Sequence, residues 1–180
     1  MKKIGVIHGR FQCLHNEHMK YLLEGMKRCD YLIIGITNFD KSDVKDANIN
    51  DLNRFLDSSN PFTYYERMEM IRDSMIEFGV NKEKFDIVPF PIENPEKIKN
   101  YVPTDAVFFM TIYDQWGEYK FITLNELGFN VEIMWKKNIS EKNISGSMIR
   151  KLIREGEKWE HLVPKSVYDY IIKNNLIERI

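Results

Sequence analysis

The hydrophobic residues of the chain fall into short consecutive runs that alternate with segments of helical period. Consecutive apolar residues are typical of strands buried on both faces of a sheet, whereas apolar residues three or four positions apart mark one face of a helix. The predicted strands are residues 3–8, 31–37, 85–90, 106–112 and 131–135. The predicted helices are residues 15–27, 62–78, 95–101, 116–127, 147–155 and 164–175.

This alternation predicts an α/β fold in which an open parallel sheet of five strands carries helices on both faces. Such a sheet binds its ligands beyond the C-terminal ends of its strands, so residues 8–12 are the expected site. Residues 39–60 contain five Asp and four Asn without a helical or strand period. We expect them to form a mobile loop over the same edge. With no internal repeat, the chain fits one domain, residues 1–180.

Composition narrows the class of partner. The 26 basic and 27 acidic residues nearly cancel, so no overall field would hold a nucleic acid, although a local basic pocket for a small phosphate compound is compatible with that balance. Cys13 and Cys29 fit neither a disulfide framework nor a paired metal-ligand spacing. No stretch approaches the roughly 20 apolar residues of a membrane span. We therefore expect a cytoplasmic protein with small-molecule substrates and with no nucleic-acid or membrane partner.

The first segment with candidate chemistry is Gly9–His18, which follows the first predicted strand. Gly9 permits a sharp turn and a close approach of ligand to backbone. His15 and His18 share a face at the first turn of the next helix, where unsatisfied N–H groups suit phosphate. Arg10 adds a planar cation that matches phosphate geometry. A His-x-x-His pair alone is a weak signal, since most histidines are structural and such pairs also bind zinc; the strand, turn and helix around it favour phosphate.

A second segment, Ile144–Arg150, opens another predicted helix. Small hydroxyl residues at a helix start can cap the helix. They can also present a helix N-terminus to phosphates, with Ser147 donating and Arg150 adding charge. The residues alone leave these two interpretations even. Neither the glycine-rich dinucleotide fingerprint nor the P-loop occurs in the sequence, so dehydrogenase and kinase activities lack support.

Together, the two segments resemble the HxGH and ISxTxxR signatures of the nucleotidyltransferase superfamily. The matching residues are Gly9–Gln12, His15 with His18, and Ile144–Arg150. Within this superfamily the chain is most similar to the archaeal-type nicotinamide mononucleotide (NMN) adenylyltransferases, and the similarity extends to residues 60–67 and 156–180. The resemblance covers nearly the whole chain and implies the Rossmann-like, HUP type of α/β fold.

The resemblance implies transfer of AMP from ATP to NMN by direct in-line displacement, which gives NAD and pyrophosphate. Mg²⁺ would accompany the ATP, no metal site on the protein is expected, and a homo-oligomer is suggested. Such catalysis depends on positioning and electrostatics. The implied catalytic residues are Arg10, His15, His18 and Arg150. The implied nucleotide-binding residues are Gly9, Phe11, Gln12, Ile144, Ser145 and Ser147, together with Thr63 and Arg67, whose alternative roles are a helix cap and a surface ion pair.

The sequence departs from the family at several positions. Cys13 stands where the family has proline, and Glu17 stands where HxGH has glycine. The Glu17 carboxylate could repel phosphate unless it points away or binds a cation. The tryptophan with which the archaeal enzymes stack on the pyridine ring has no counterpart after the third strand. Instead Tyr113, Asp114 and Trp116 follow the fourth strand, where an acceptor pocket belongs, although a capped helix start with Trp116 in the core explains them equally well.

These departures keep other functions open. The chain could use CTP in place of ATP, or a sugar- or alcohol-phosphate in place of NMN. It could also be a nucleotide-binding regulator that has lost catalysis, for which Glu17 is the only motivation. A fragment related to class I aminoacyl-tRNA synthetases would share the histidine pattern, but the sequence has no basic face for tRNA.

Overall fold

The computed structural model describes residues 3–40, 56–141 and 143–180, and it confirms the predicted parallel sheet of five strands. Residues 41–55, most of the predicted loop 39–60, lie outside the described residues. The strands are β1 Ile4–Gly9, β2 Tyr31–Ile36, β3 Phe85–Pro89, β4 Val107–Ile112 and β5 Asn130–Lys136. Their order across the sheet is β3-β2-β1-β4-β5, and all neighbours run parallel.

Five α-helices lie where the sequence predicts them. Four begin after a residue whose side chain accepts a hydrogen bond from a backbone N–H of the first turn, namely His15, Thr63, Asp114 and Ser145. Such caps satisfy donors that a helix start otherwise leaves without a partner. The helices are α1 Asn16–Lys27, α2 Tyr64–Glu77, α3 Gln115–Glu126, α4 Gly146–Arg154 and α5 Lys165–Lys173.

The predicted helix 95–101 differs from the others, because the chain forms a short 3₁₀ helix there, Pro95–Asn100. Only Ile98 of this segment is buried, so it has no apolar stripe along which a longer α-helix could pack. The remaining 3₁₀ turns are Asp57–Ser59, Lys82–Lys84, Ile139–Glu141, Glu160–Leu162 and Leu176–Arg179.

The strands divide their side chains between two hydrophobic clusters, one on each face of the sheet. On β1, Ile7 belongs to the cluster that contains Met19 of α1, whereas Val6 belongs to the cluster that contains Leu124 of α3. Residues of α2, α4 and α5 join the cluster of α1, and Ile98 joins that of α3. Helices therefore cover both faces, which explains why the strand sequences are almost continuously apolar.

The strand order fixes where a ligand can enter. From β1 the chain continues to β2 and β3 on one side, and then crosses to β4 and β5 on the other. β1 pairs with β2 from Ile4 to Gly9, whereas its register with β4 covers Gly5–Val107 and Val6–Phe108. The C-terminal ends of β1 and β4 thus flank the topological switch point, where open α/β sheets form a binding crevice. None of the described helices is long and apolar enough to cross a membrane.

Candidate active site

A cavity of about 250 Å³ lies between the C-terminal ends of β1 and β4. Its walls also include the first turns of α1, the end of β5 and the residue two positions before α4. We call the segments Gly9–His18 and Ile144–Arg150 the motif side of the site. The lining residues are His8, Gly9, Phe11, His15, Glu17, His18, Lys20, Tyr21, Met110, Thr111, Tyr113, Lys120, Trp135, Lys137 and Ile144.

The two histidines of the first motif stack on each other at the cavity wall. The ring centroids of His15 and His18 are 3.6 Å apart and their planes differ by 18°. Nδ1 of His15 accepts a hydrogen bond of 3.3 Å from the His18 backbone N–H, which caps α1. Because Nδ1 is the acceptor, a neutral His15 ring carries its proton on Nε2, which can donate to a phosphate oxygen. The shared face predicted from their spacing is present.

The turn between β1 and α1 is built around Phe11. Its backbone φ of 52° lies in the left-handed region, and its buried ring meets the edge of His18 with a centroid distance of 5.0 Å. A Cβ added at Gly9 would lie 2.9 Å from the Phe11 ring. Glycine is therefore required by close packing here, and Phe11 supports the orientation of His18.

The two sequence motifs meet at the backbone of Gln12. The Arg150 guanidinium donates to the Gln12 carbonyl oxygen, and a Cβ added at Gly146 would overlap that same oxygen. The Gln12 side chain is held by Phe62, because it donates to the Phe62 carbonyl at 2.8 Å and accepts from the Phe62 N–H at 3.0 Å. The N-terminus of α4 thus packs against the loop that carries the histidines.

The second motif divides between helix capping and the cavity. Ser145 Oγ accepts from the Met148 N–H at 3.2 Å and lies 3.1 Å from the hydroxyl of Ser147, which is exposed. Ile144 lines the cavity. Arg150 is buried against the loop between β1 and α1, and that burial lowers its pKa. Ser145 therefore caps α4, as one of the two interpretations expects, and the start of the helix also lies next to the cavity.

Arg67 is buried, so it is not the surface ion pair that the sequence left open as an alternative. Its guanidinium donates at 2.8 Å to each of three carbonyl oxygens, those of Arg10, Thr37 and Asn38. It also donates to the Thr63 carbonyl at 3.2 Å, while the Thr63 hydroxyl caps α2. Burial, with the charge of Arg10 in second place, lowers the pKa of Arg67 to about 10. Arg67 therefore joins the loop between β1 and α1 to the residues that follow β2.

Among the predicted acceptor residues, Tyr113 lines the cavity, whereas Asp114 and Trp116 do not. Asp114 caps α3 by accepting from the Gly117 N–H at 2.8 Å. Trp116 is half-buried and stacks on the exposed ring of Tyr119 at a centroid distance of 5.4 Å. Asp114 thus follows the helix-cap alternative, but Trp116 is not the core residue that this alternative assumed.

Residues at and beyond the strand ends also line the cavity; His8 belongs to the predicted site 8–12, whereas Thr111, Lys120 and Lys137 were not predicted. We call them the strand-end side: His8, Thr111, Lys120 and Lys137. The ring of His8 lies flat on Phe90, with a centroid distance of 4.6 Å and an interplanar angle of 8°. Burial lowers the pKa of His8 well below its ordinary value, and the Lys120 charge adds to this. The available signal was a histidine that ends an apolar strand at the ligand-binding edge.

The charges on the cavity wall favour anionic ligands. Lys20, Lys120 and Lys137 contribute three positive charges against the single negative charge of Glu17. Glu17 forms an ion pair with Lys20. The carboxylate that departs from the HxGH pattern is therefore compensated by a cation. Within the described ranges, no group of three or more His, Cys, Asp or Glu is arranged to hold a metal ion.

Comparison with known proteins agrees with this geometry. The family model described as cytidylyltransferase-like matches residues 6–152. The chain is 44% identical, over 98% of its length, to the phosphonoformate cytidylyltransferase of Streptomyces viridochromogenes, of which it covers 94%. It is 35% identical, over its full length, to the nicotinamide-nucleotide adenylyltransferase of Thermococcus onnurineus, of which it covers 88%.

A solved structure supports the same fold. The bifunctional NMN adenylyltransferase/ADP ribose pyrophosphatase from Francisella tularensis superposes with a TM-score of 0.65 at 17% sequence identity. The match covers 97% of this chain and 54% of that protein, so the chain spans about half of its length. The predicted fold type and the resemblance to nucleotidyltransferases, including archaeal NMN adenylyltransferases, are thus confirmed.

Proposed function

We propose a reaction for this chain from the premise that it belongs to the cytidylyltransferase-like family and is a nucleotidyltransferase. In this reaction it transfers CMP from CTP to a compact acceptor that carries a phosphonate or phosphate and a second anionic group. The observation that carries the proposal is the stacked pair His15 and His18 at the start of α1, facing a cavity with three lysines. Helix start, imidazoles and ammonium groups all favour negative charge.

In the proposed reaction, an acceptor oxygen attacks the α-phosphorus of the triphosphate. The new P–O bond forms as the bond from the α-phosphorus to the bridging oxygen of pyrophosphate breaks, and the electron pair leaves with pyrophosphate. A phosphonate or phosphate oxygen is already deprotonated, so the attack needs no general base. The triphosphate enters as its Mg²⁺ complex, and the metal is part of that substrate.

The histidines act as hydrogen-bond donors in this scheme. His15 Nε2–H and the His18 ring would donate to non-bridging oxygens of the α-phosphate as charge accumulates in the transition state. Their stacking, the cap on α1 and the Phe11 contact fix them before substrate arrives. Donors that are already oriented lower the barrier because they need no reorganisation during the reaction.

The preference for CTP and for a compact acceptor is supported by two observations. The 44% identity to a phosphonoformate cytidylyltransferase covers nearly the whole chain. In addition, Lys120 and Lys137 lie on the cavity wall beside the Lys20–Glu17 ion pair, and their charges suit an acceptor with more than one anionic group. Phosphonoformate is such a compound, with a carboxylate directly attached to a phosphonate.

A second candidate keeps the chemistry and changes both substrates. Adenylyl transfer from ATP to NMN is supported by the 35% identity to an archaeal nicotinamide-nucleotide adenylyltransferase. Tyr113 and Trp135 are aromatic side chains on the cavity wall and offer surfaces on which a pyridine ring could stack. In this candidate they replace the tryptophan that the sequence lacks after β3.

A matrix of substrates tests both candidates. CTP and ATP would each be incubated with phosphonoformate, NMN or glycerol 3-phosphate in the presence of Mg²⁺, with pyrophosphate release and product mass as readouts. We expect the highest kcat/KM for CTP with phosphonoformate. Strict use of ATP with NMN would replace the first candidate by the second. Nucleotide binding without pyrophosphate release in any combination would overturn both and favour a regulatory function.

A further inference from the structure

The strand-end side contains polar atoms that have no hydrogen-bond partner in the described chain. Both ring nitrogens of His8 are buried without a partner, and so is the hydroxyl oxygen of Thr111. His8 as a whole is only 6% exposed. Buried polar groups in folded proteins nearly always have a partner, so these exceptions on one cavity wall call for a reason.

A purely structural role does not account for His8. Its flat contact with Phe90 uses the ring face, which phenylalanine or leucine could provide without leaving two nitrogens unsatisfied. A structural histidine normally pairs at least one nitrogen with a carbonyl or carboxylate. The two strands that neighbour β1 end in apolar residues, Ile36 of β2 and Ile112 of β4.

The positions of these groups identify what they could bind. His8 and Thr111 line the same cavity as His15 and His18, and they come from the ends of β1 and β4 at the switch point. Lys120 lines the same wall. An imidazole N–H, a hydroxyl and an ammonium group can all donate to one oxyanion. The two His8 nitrogens and the Thr111 hydroxyl oxygen are buried among the residues that line the cavity.

We propose that His8, Thr111 and Lys120 form a subsite for the second oxyanion of the acceptor, the one that does not attack the triphosphate. This inference rests on the proposed function and assigns the part of the cavity that selects the acceptor. The reacting phosphonate or phosphate lies toward His15 and His18, and the remote carboxylate lies against His8. Acceptors with a single anionic group leave the subsite unfilled and bind more weakly.

Histidine NMR tests the subsite without turnover. The chain has four histidines, so ¹⁵N-labelled rings give four spin systems, and a His8→Gln variant assigns that of His8. Phosphonoformate is expected to shift the His8 ring signals, whereas methylphosphonate, which lacks the carboxylate, is expected to shift those of His15 and His18 alone. The exposed His161 serves as an internal reference. Unchanged His8 signals at saturating phosphonoformate would overturn the proposal.

Kinetics of His8 variants supply the second test. In His8→Leu we expect the KM for phosphonoformate to rise about tenfold, the loss of roughly one hydrogen bond to a charged group, while the KM for CTP changes less than about twofold. His8→Gln retains a donor and should recover part of that loss. Circular dichroism identifies variants that have not folded. Equal changes in both KM values, or no change in either, would contradict the subsite.

The two proposals fail in different ways. If the wild-type chain releases no pyrophosphate with any acceptor, the proposed function is wrong, yet the NMR titration still reports whether phosphonoformate reaches His8. If the enzyme is active and its preference for phosphonoformate over methylphosphonate survives in His8→Leu, the proposed function stands and the subsite is wrong.

Discussion

The two sides of the cavity differ in how their polar side chains are used. On the motif side, the side chains of Gln12 and Arg150 form hydrogen bonds with backbone groups of the protein, and Arg67 donates to the Arg10 carbonyl in the loop between β1 and α1. On the strand-end side, His8 and Thr111 keep buried polar atoms that no described residue satisfies. The motif side is thus held mainly by internal contacts, although Arg150 Nε is also buried without a partner among the described residues, whereas the side-chain polar atoms of His8 and Thr111 make no such contact.

This difference corresponds to two requirements of a transferase. The step at the α-phosphorus is common to all substrates, and donors held rigidly serve it best. Acceptors vary, so the groups that recognise them can change without disturbing the shared step. The motif side is built from loops that other side chains hold in place, whereas the strand-end side is built from side chains at and beyond the strand ends.

The largest effect on activity should come from removing one of the two imidazoles on the motif side. For His18→Ala we expect kcat/KM to fall about 10³-fold, or about 4 kcal/mol, as for loss of one preorganised donor to a transition-state oxyanion. His15→Asn should be comparably inactive while keeping a side chain able to cap α1. Pyrophosphate release measures both, with His161→Ala as the control. Near-normal turnover in His18→Ala would remove the histidines from the mechanism.

Loss of the Arg67 contacts should chiefly lower stability. In Arg67→Met the carbonyls of Arg10, Thr37 and Asn38 lose their charged donor, so the free energy of unfolding should fall by about 3 kcal/mol. Urea unfolding measures this. Arg72→Met on the same helix removes only a surface ion pair with Glu69 and should cost less than about 1 kcal/mol. Equal urea midpoints for Arg67→Met and Arg72→Met would show that the Arg67 hydrogen bonds do not stabilise the fold.

The contact between the two motifs can be broken by one methyl group. Gly146→Ala would force a Cβ against the Gln12 carbonyl, and we expect about 2 kcal/mol of destabilisation from overpacking together with reduced kcat. Gly156→Ala is the matched control, because Gly156 has a φ of 69° but open space around it. That control should lose about 1 kcal/mol through backbone strain and retain full kcat. Full activity in Gly146→Ala would mean that catalysis does not depend on the close contact between the start of α4 and the Gln12 carbonyl.

The smallest effect concerns His8 on the strand-end side and is a pH dependence of the free energy of unfolding. Because the pKa of His8 is lowered in the folded chain from an ordinary value of 6.5, the unfolded chain takes up the proton first, and stability falls as the pH drops below about 6.5. His8→Phe removes this term, so between pH 6.5 and 5.5 the wild-type chain should lose about 1 kcal/mol more than the variant. Urea unfolding at both pH values decides, with His161→Phe as the reference. Parallel losses in wild type and His8→Phe would place the His8 pKa near its ordinary value.

The sequence was sufficient for the fold because its signals are local. Unbroken apolar strands such as β2 and amphipathic helices such as α1 depend on residues close together along the chain. The histidine spacing likewise placed His15 and His18 on one face. Segment 95–101 was less well predicted, since a single buried residue does not distinguish an α-helix from a 3₁₀ helix.

The composition of the site depended on contacts between distant segments. Arg67 and Arg10 are far apart in sequence, and nothing local indicates that the guanidinium of one would bind the carbonyl of the other. Trp116 illustrates the opposite case, because an aromatic residue beside a strand end suggested a pocket, but the cap at Asp114 starts α3 so that the ring stacks on Tyr119.

By itself, the sequence determined the α/β architecture, the two motifs proposed to bind phosphate and the superfamily, because periodicity, turn residues and motif spacing are encoded over a few residues. Only the tertiary structure decided which side chains face the cavity and which bind other parts of the protein. Examples are the burial of His8 on Phe90 and the contact of Gly146 with Gln12. Those outcomes depend on how strands and helices far apart in the chain pack together, and packing at that range is set by the whole fold.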